Sequence, residues 1–376
     1  MDSTAGEDTA AWLALLRAPG VGCQTINACL ATGLAPRELI EHPDRAGQPA
    51  LQRYLREPDW RGVEQDLRWL EGAGNRLLRI DAADYPARLR ELANPPSALF
   101  IHGDASLLEL PQLAIVGSRT PSTGGRRTAE AFAAHLAEAG LVISSGLAAG
   151  IDAAAHSGAM QADGLTLAVT GTGLDRVYPA SNRELAHAIA ENGLLVSEFP
   201  IGMPPLPGNF PRRNRILAGL ALGTLVVEAA LKSGSLITAR LAGEAGREVF
   251  AIPGSIHNPL VRGCHRLIRD GAKLVETGDH VLEELGPLLG DFRLPLTLKG
   301  SVAPTAQVEA PHADVDVQHL QVLDAMGFDP TTTDELVQRT GFPASEVSSI
   351  LLLLELRGHV SSGAGGQFTR LGNSPE

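Results

Sequence analysis

Residues 210–254 read FPRRNRILAGLALGTLVVEAALKSGSLITARLAGEAGREVFAIPG. The middle of this stretch, Thr224-Leu225-Val226-Val227-Glu228-Ala229, is a short run of branched apolar residues, as expected of a strand buried on both faces. Lys232-Ser233-Gly234-Ser235 follows as a small polar turn, and a helical pattern begins behind it. Ahead of the strand, Pro211 suits the first position of a helix, because its fixed φ fits and its missing N–H would have been an orphan. Arg212, Arg213, Asn214 and Arg215 then fall within one turn. Cationic side chains at a helix start oppose the helix dipole, so an anion is their natural compensation. Helix, strand, polar turn and helix together bring guanidinium groups, hydroxyls and backbone N–H groups toward one place, a combination that suits a string of phosphates.

Working outward, the same strand type recurs. Residues 112–117 (QLAIVG), 141–146 (LVISSG), 165–171 (LTLAVTG), 194–198 (LLVSE), 248–254 (EVFAIPG) and 273–276 (KLVE) are short and apolar, and helical patterns separate them. Strands of this kind alternating with helices predict an α/β fold with an extended Rossmann-like, doubly wound parallel sheet. Ligands of such sheets sit at the carboxyl ends of the strands. The residues that fall there are Gly117-Ser118-Arg119, Ser145-Gly146, Asp152 and His156, Thr170-Gly171, Tyr178-Pro179, and Ser197-Glu198. Glycine at these ends allows close approach of a ligand, and the hydroxyls supply neutral hydrogen bonds.

Residues 1–80 read as a helical domain, with helices expected at 9–16, 24–32, 36–41 and 60–73. The turn Ala18-Pro19-Gly20-Val21-Gly22 resembles that of a helix-hairpin-helix and equally suits a tight turn in a small bundle. Residues 81–290 are expected to form the sheet domain. Residues 291–315 carry scattered prolines and no period, so a linker is expected there. Residues 316–376 show three helical patterns and a glycine-tipped ribbon, which predicts a winged helix. Its third helix carries one basic residue and two acids, a poor set for reading duplex DNA, so a protein-contacting role is expected.

The chain has 376 residues and a net charge of −12. Bulk attraction to nucleic acid is therefore excluded, and the distribution of charge matters instead. Between Pro205 and Lys273 lie ten Lys/Arg against four acids, a local excess of +6. No apolar run reaches the length of a membrane span and the N-terminus lacks a signal-peptide pattern, so a cytoplasmic location is expected. Three isolated cysteines form neither a disulfide framework nor a zinc spacing.

The familiar enzyme signatures are missing. No phosphate-binding G-x-x-x-x-G-K-[ST] loop occurs, and Gly117-Ser118-Arg119 replaces the dinucleotide fingerprint after the first parallel strand. Asp152 and His156 stand four apart and suit either an acid/base pair or a helix-stabilising polar pair. Glu228, at the end of its strand, suits a contact to a ribose hydroxyl or the orientation of the arginines of the preceding helix, and the second is expected because no partner acid is evident. No cofactor and no catalytic residue is expected.

Taken together, Gly117-Ser118-Arg119, the Ser145–His156 block, Tyr178-Pro179-x-x-Asn182-Arg183, Phe-Pro-Arg-Arg-Asn-Arg-Ile at 210–216 and Ser-Gly-Ser-Leu-Ile-Thr-Ala at 233–239 resemble the DNA-processing protein A (DprA/Smf) family of bacteria. The resemblance covers about residues 112–285. It implies a non-enzymatic protein that binds single-stranded DNA, protects incoming DNA in natural transformation and loads the RecA recombinase. It also implies a homodimer joined through the Rossmann-like domain. Carried over by motif, Arg119 would hold phosphate, Arg212, Arg213, Asn214 and Arg215 with Ser233, Gly234 and Ser235 would line the pocket, and Lys273 would add charge. Ser118, Gly146, Lys232 and Thr238 complete the candidate DNA-binding set. Phe210 is the stacking candidate, since single-strand sites use aromatic faces. Ala180 departs from the lysine found in some members. The rival reading is a nucleoside-monophosphate phosphoribohydrolase, whose Pro-Gly-Gly-x-Gly-Thr-x-x-Glu signature the turn Glu228-Ala-Ala-Leu-Lys-Ser-Gly-Ser lacks.

Overall fold

The structure is a computed structural model that describes residues 3–256, 258–290, 317–326 and 330–371. They divide into two compact units, one spanning the N-terminal helices and the sheet, the other C-terminal. The region expected to be a linker, 291–315, lies outside the described residues.

The N-terminal helices are α1 (Ser3–Leu16), α2 (Cys23–Leu30), α3 (Pro36–Glu41), α4 (Pro49–Leu55) and α5 (Trp60–Leu70). Leu15, Ile26, Leu39, Leu51 and Leu55 form a core shared by α1 to α4, while Val63 of α5 packs with Leu13, Ala14, Phe100 and Ile201. A hairpin follows: β1 (Asn75–Arg79), the single-turn helix α6 (Ala87–Arg90) and β2 (Ala98–Gly103). β1 pairs antiparallel with β2, which pairs antiparallel with the main sheet. The sheet therefore begins at Asn75, ahead of the boundary expected at residue 81, because the backbone of 75–79 is hydrogen-bonded into it.

The alternating part runs β3 (Gln112–Gly117), α7 (Thr123–Glu138), β4 (Val142–Ser145), α8 (Ile151–Gln161), β5 (Thr166–Val169), α9 (Arg183–Asn192), β6 (Leu194–Ser197), α10 (Asn209–Leu220), β7 (Gly223–Val227), α11 (Ser235–Glu244), β8 (Glu248–Ala251), α12 (Arg262–Arg269), β9 (Lys273–Leu274) and α13 (Gly278–Leu289). The nine-stranded sheet has the order β1-β2-β6-β5-β4-β3-β7-β8-β9, and the strands from β6 to β9 are parallel. Side chains alternate between the two faces, as strand geometry requires. On one face Ala114, Val116, Val226 and Ala251 pack with Ile216, Leu217, Ala239 and Cys264 of α10, α11 and α12. On the other, Leu113, Ile115, Leu225 and Phe250 pack with Phe132, Ile151, Ala155 and Leu285 of α7, α8 and α13. Both faces are covered, which is why the strands read as continuous apolar runs. From β3 the chain winds outward through β4, β5 and β6, then returns to lay β7 against the other side of β3. That reversal places a crevice at the carboxyl ends of β3 and β7.

The C-terminal unit contains α14 (Val317–Met326), β10 (Thr331–Thr332), α15 (Thr333–Thr340), α16 (Ala344–Leu356), β11 (Val360–Ser362) and β12 (Gln367–Arg370). Its three strands form one small sheet in the order β10-β12-β11. Thr332 and Glu335 form a capping box on α15, and Gly341 ends that helix in the left-handed region with φ 74°. Val322, Leu336, Val347, Ile350 and Leu354 fill the core between helices and ribbon. This is the winged helix that the sequence predicts.

Candidate functional site

A cleft of about 700 Å³ occupies the crevice between the ends of β3 and β7. The turn after β3 (Gly117, Ser118, Arg119, Thr120), the first turns of α10 (Phe210, Arg213, Asn214) and the turn after β7 (Lys232, Ser233, Gly234, Ser235) line it, with Thr238 of α11, Asp152 of α8 and Tyr178.

Each wall has a local cause. The first turn is held by α8, whose Ile151 N–H donates to the Ser118 carbonyl at 3.0 Å. Gly150 precedes it with φ +86°, and a Cβ there would lie 2.3 Å from the Ser118 oxygen, so only glycine allows this approach. The Ser118 hydroxyl accepts the Thr120 N–H at 3.1 Å, which fixes the loop that carries Arg119. On the other wall, Ser233 and Ser235 hydroxyls bond each other at 2.7 Å at the start of α11, the positive end of that helix dipole. The expected strand, polar turn and helix from Thr224 onward are therefore present.

The helix carrying the arginines starts earlier than its proline suggests. α10 begins at Asn209, making Pro211 its third residue. Proline is tolerated there because the first four N–H groups of a helix have no intrahelical partner. Asn209 anchors the start by donating to the Gly171 carbonyl at 3.1 Å. The arginines thus lie past the positive end of the dipole, and their compensation is a carboxylate of the protein. Arg215 is ion-paired with Glu198 at the end of β6 and donates to the Asn94 carbonyl at 2.8 Å. Arg212 lies 3.8 Å from the same carboxylate and 5.2 Å over the Phe199 ring. Glu198 holds the position expected for Glu228.

The candidate residues consequently separate. Arg213 is buried, donates to the Val169 carbonyl and lies against Gly146, where a Cβ would stand 2.1 Å from its guanidinium. Gly146 thus serves as the space that Arg213 needs. Asp152 accepts N–H groups from Gly146 and Ala148 at 3.1 and 3.3 Å. Burial pushes its carboxyl up, opposed by the nearby Arg213 charge. His156 does not meet Asp152; its Nδ1 contacts the Thr166 hydroxyl at 2.7 Å, and burial pushes the imidazole down to about 3. Arg212, Arg215 and Lys273 do not line the cleft. Lys273 sits on the edge strand β9, paired with Glu284 of α13 at 2.5 Å.

What remains in the cleft is a compact set. Arg119 and Lys232 are exposed and form no ion pair among the described residues. The Arg119 guanidinium lies 5.6 Å from the Phe210 ring centre. Tyr178, 48% exposed, tilts against Phe210 with ring centres 5.7 Å apart. Tyr178 is the functional candidate that the stacking argument passes over; its place in the Tyr-Pro motif is the available signal. No group of His, Cys, Asp and Glu among the described residues could hold a metal ion.

Comparison with known proteins places these features. Residues 76–286 match the model of the DNA recombination-mediator protein A family, and residues 304–366 match that of the DprA winged helix domain. Protein Smf of Escherichia coli is 44% identical over 322 residues, 85% of this chain and 83% of that protein. The X-ray structure of DNA processing protein A from Streptococcus pneumoniae superposes with a TM-score of 0.67 at 40% identity, covering 73% of this chain and 97% of that one. DNA processing protein A of Helicobacter pylori, whose structure addresses its single-stranded DNA binding mode, gives a TM-score of 0.51 at 31% identity, covering 57% and 97%.

Proposed function

The chain belongs to the DNA recombination-mediator protein A family, and from that premise we propose that it binds single-stranded DNA in the cleft between β3 and β7 without acting as an enzyme. The observation that carries this reading is the pairing of two exposed cations, Arg119 and Lys232, with an aromatic couple, Tyr178 and Phe210, in one crevice. Phosphates meet the cations, the Ser233–Ser235 hydroxyls and the start of α11; unstacked bases meet the rings. Duplex DNA, whose bases are stacked on each other, offers the cleft only its phosphates. The single-strand binding of the Helicobacter pylori relative supports the same reading.

Three finer roles belong to this proposal. The protein retains incoming DNA in natural transformation, delivers it to RecA in the cytoplasm, and works as a homodimer joined through the sheet domain. For the dimer, the supporting feature is the open edge of the sheet at β9, where Leu274 is exposed, since exposed strand edges invite pairing or cover. The winged helix contributes contacts to protein rather than to duplex, as the composition of α16 suggests.

A mobility-shift comparison of single strand with duplex at two salt concentrations tests the central claim. Single-strand binding should be the tighter, with log K falling against log salt by about 0.7 per phosphate neutralised. Equal affinity for duplex, or no salt dependence, refutes it. RecA delivery is tested by whether the protein shortens the lag of RecA ATPase on single strands already coated by a single-strand binding protein.

A further inference from the structure

The segment between β6 and α10 is held from two sides, and one side is the N-terminal helical bundle. Asp66 of α5 is fully buried. Arg17, just after α1, forks onto it: Nε donates to one oxygen at 2.6 Å and Nη2 to the other at 2.8 Å. The same pair grips the backbone of Ile201. Arg17 Nη2 donates to its carbonyl at 2.9 Å, and its N–H donates to Asp66 at 2.9 Å. A second strut leaves α2. Cys23 donates to Asn94 at 2.9 Å, and Asn27 donates to the Pro95 carbonyl at 2.9 Å; the Asn94 carbonyl in turn receives Arg215 of α10. From the opposite side, Asp175 accepts the Gly202 N–H at 2.9 Å and Gly171 receives Asn209. The chain from Glu198 to Arg215, which delivers Phe210, Arg213 and Asn214 to the cleft, is therefore clamped between the bundle and the loop that carries Tyr178.

We propose that Arg17 and Asp66 are positioning residues of the DNA cleft, so that the N-terminal bundle braces α10 without touching DNA. This rests on the single-strand reading above. A buried ion pair can often be replaced by apolar residues of similar size without loss of stability, whereas only the polar pair can hold the Ile201 backbone. The full-length double variant Arg17→Met with Asp66→Leu separates the two roles. Binding of a fluorescein-labelled oligothymidylate is followed by anisotropy across a salt series, beside the melting temperature.

The expected result is a folded variant whose affinity falls by roughly tenfold and whose salt slope becomes shallower by about 0.7 for each phosphate that the cleft no longer neutralises. In addition, Asn214→Ala should cost less affinity in the variant than in the wild type, because its alignment is already gone. If the double variant does not fold, Asp66→Asn, which preserves shape and removes the charge that aligns Arg17, carries the same readouts. A folded variant with wild-type affinity, slope and Asn214 sensitivity overturns the brace alone. Failure of the wild-type chain to bind the oligonucleotide overturns the single-strand reading, and the brace with it.

Discussion

Arg119 and Arg215 both belong to the arginine set of the sequence motifs, and the structure gives them opposite fates under substitution to alanine. Arg119 is exposed and lines the cleft. On the proposed single-strand reading its removal deletes a charge-assisted phosphate interaction worth about 1.5–3 kcal/mol, and exposure to water and salt places it at the low end. About 1.5 kcal/mol is roughly tenfold in affinity, with no change in melting temperature. The Arg215 side chain is 13% exposed and its partner Glu198 4%. Arg215→Ala leaves that carboxylate with the looser contact to Arg212 at 3.8 Å and frees the Asn94 carbonyl. Breaking a buried pair costs about 3–5 kcal/mol. At about 1.6 °C per kcal/mol for a unit of this size, the melting temperature should drop by about 5–8 °C. Thermal denaturation by circular dichroism and anisotropy with labelled oligothymidylate, on the same preparations, separate the two effects. Arg215→Ala with a wild-type melting curve and a tenfold loss of affinity would falsify the assignment of this guanidinium to Glu198.

Three further outcomes follow from the same geometry. Tyr178→Ala and Phe210→Ala should each weaken single-strand binding by about 1–3 kcal/mol while leaving duplex binding nearly unchanged; titration of both DNA forms checks this, and equal losses on both refute base stacking. Lys273→Ala should leave single-strand affinity within about twofold of wild type, because its ammonium is committed to Glu284 outside the cleft; a larger loss in filter binding places DNA at the β9 edge. His156 is neutral when folded, its imidazole pushed down by burial from 6.5 to about 3. The unfolded chain takes up a proton below pH 6.5 that the folded chain refuses, so this group should remove about 1.4 kcal/mol of stability per pH unit as pH falls from about 6.5 toward 3. Urea denaturation of wild type and His156→Gln over that range reads the difference in slope, and parallel curves contradict it.

The strands are legible in the sequence because a sheet covered on both faces leaves each strand a bare apolar run, and Leu113 to Val116 or Leu225 to Val227 show that directly. The turn Lys232–Ser235 is legible for a similar reason, since its small polar residues sit between a strand and a helix that both declare themselves. α4 escapes such a reading because its buried residues are Leu51 and Leu55, and one apolar pair a single turn apart does not make a helical period. The start of α10 is misplaced by sequence because proline is compatible with more than one position in a first turn, and the deciding contact is from Asn209 to Gly171, 38 residues away. Glu198 is hidden as the partner of Arg215 for the same kind of reason. Seventeen residues and a loop separate them, and only the folding of α10 back over β3 and β5 brings them together. The orientation of His156 is likewise a product of the fold. Thr166 gives its hydroxyl proton to the Ile143 carbonyl at 2.7 Å, so it accepts from His156 and fixes the proton on Nδ1.

The acidic partners, more than the number of cations, decide where this protein can receive a polyanion. The window from Pro205 to Lys273 carries an excess of +6, but much of that charge is spoken for. Glu198 neutralises Arg215 and restrains Arg212, Glu284 holds Lys273, Glu244 holds Arg240 and Glu91 holds Arg247. Arg213 is buried and given to a carbonyl. The exposed positive charge that lines the cleft is thereby narrowed to Arg119 and Lys232, at the ends of the neighbouring strands β3 and β7. A long run of free arginines would attract any nucleic acid, duplex included, through phosphates that carry no information about strandedness. Two cations flanking two rings make a weaker electrostatic site and a more selective one. On the proposed single-strand reading, the phosphates alone bind modestly, and the balance of the affinity is available only to a strand whose bases are free to leave their stack and lie on Tyr178 and Phe210.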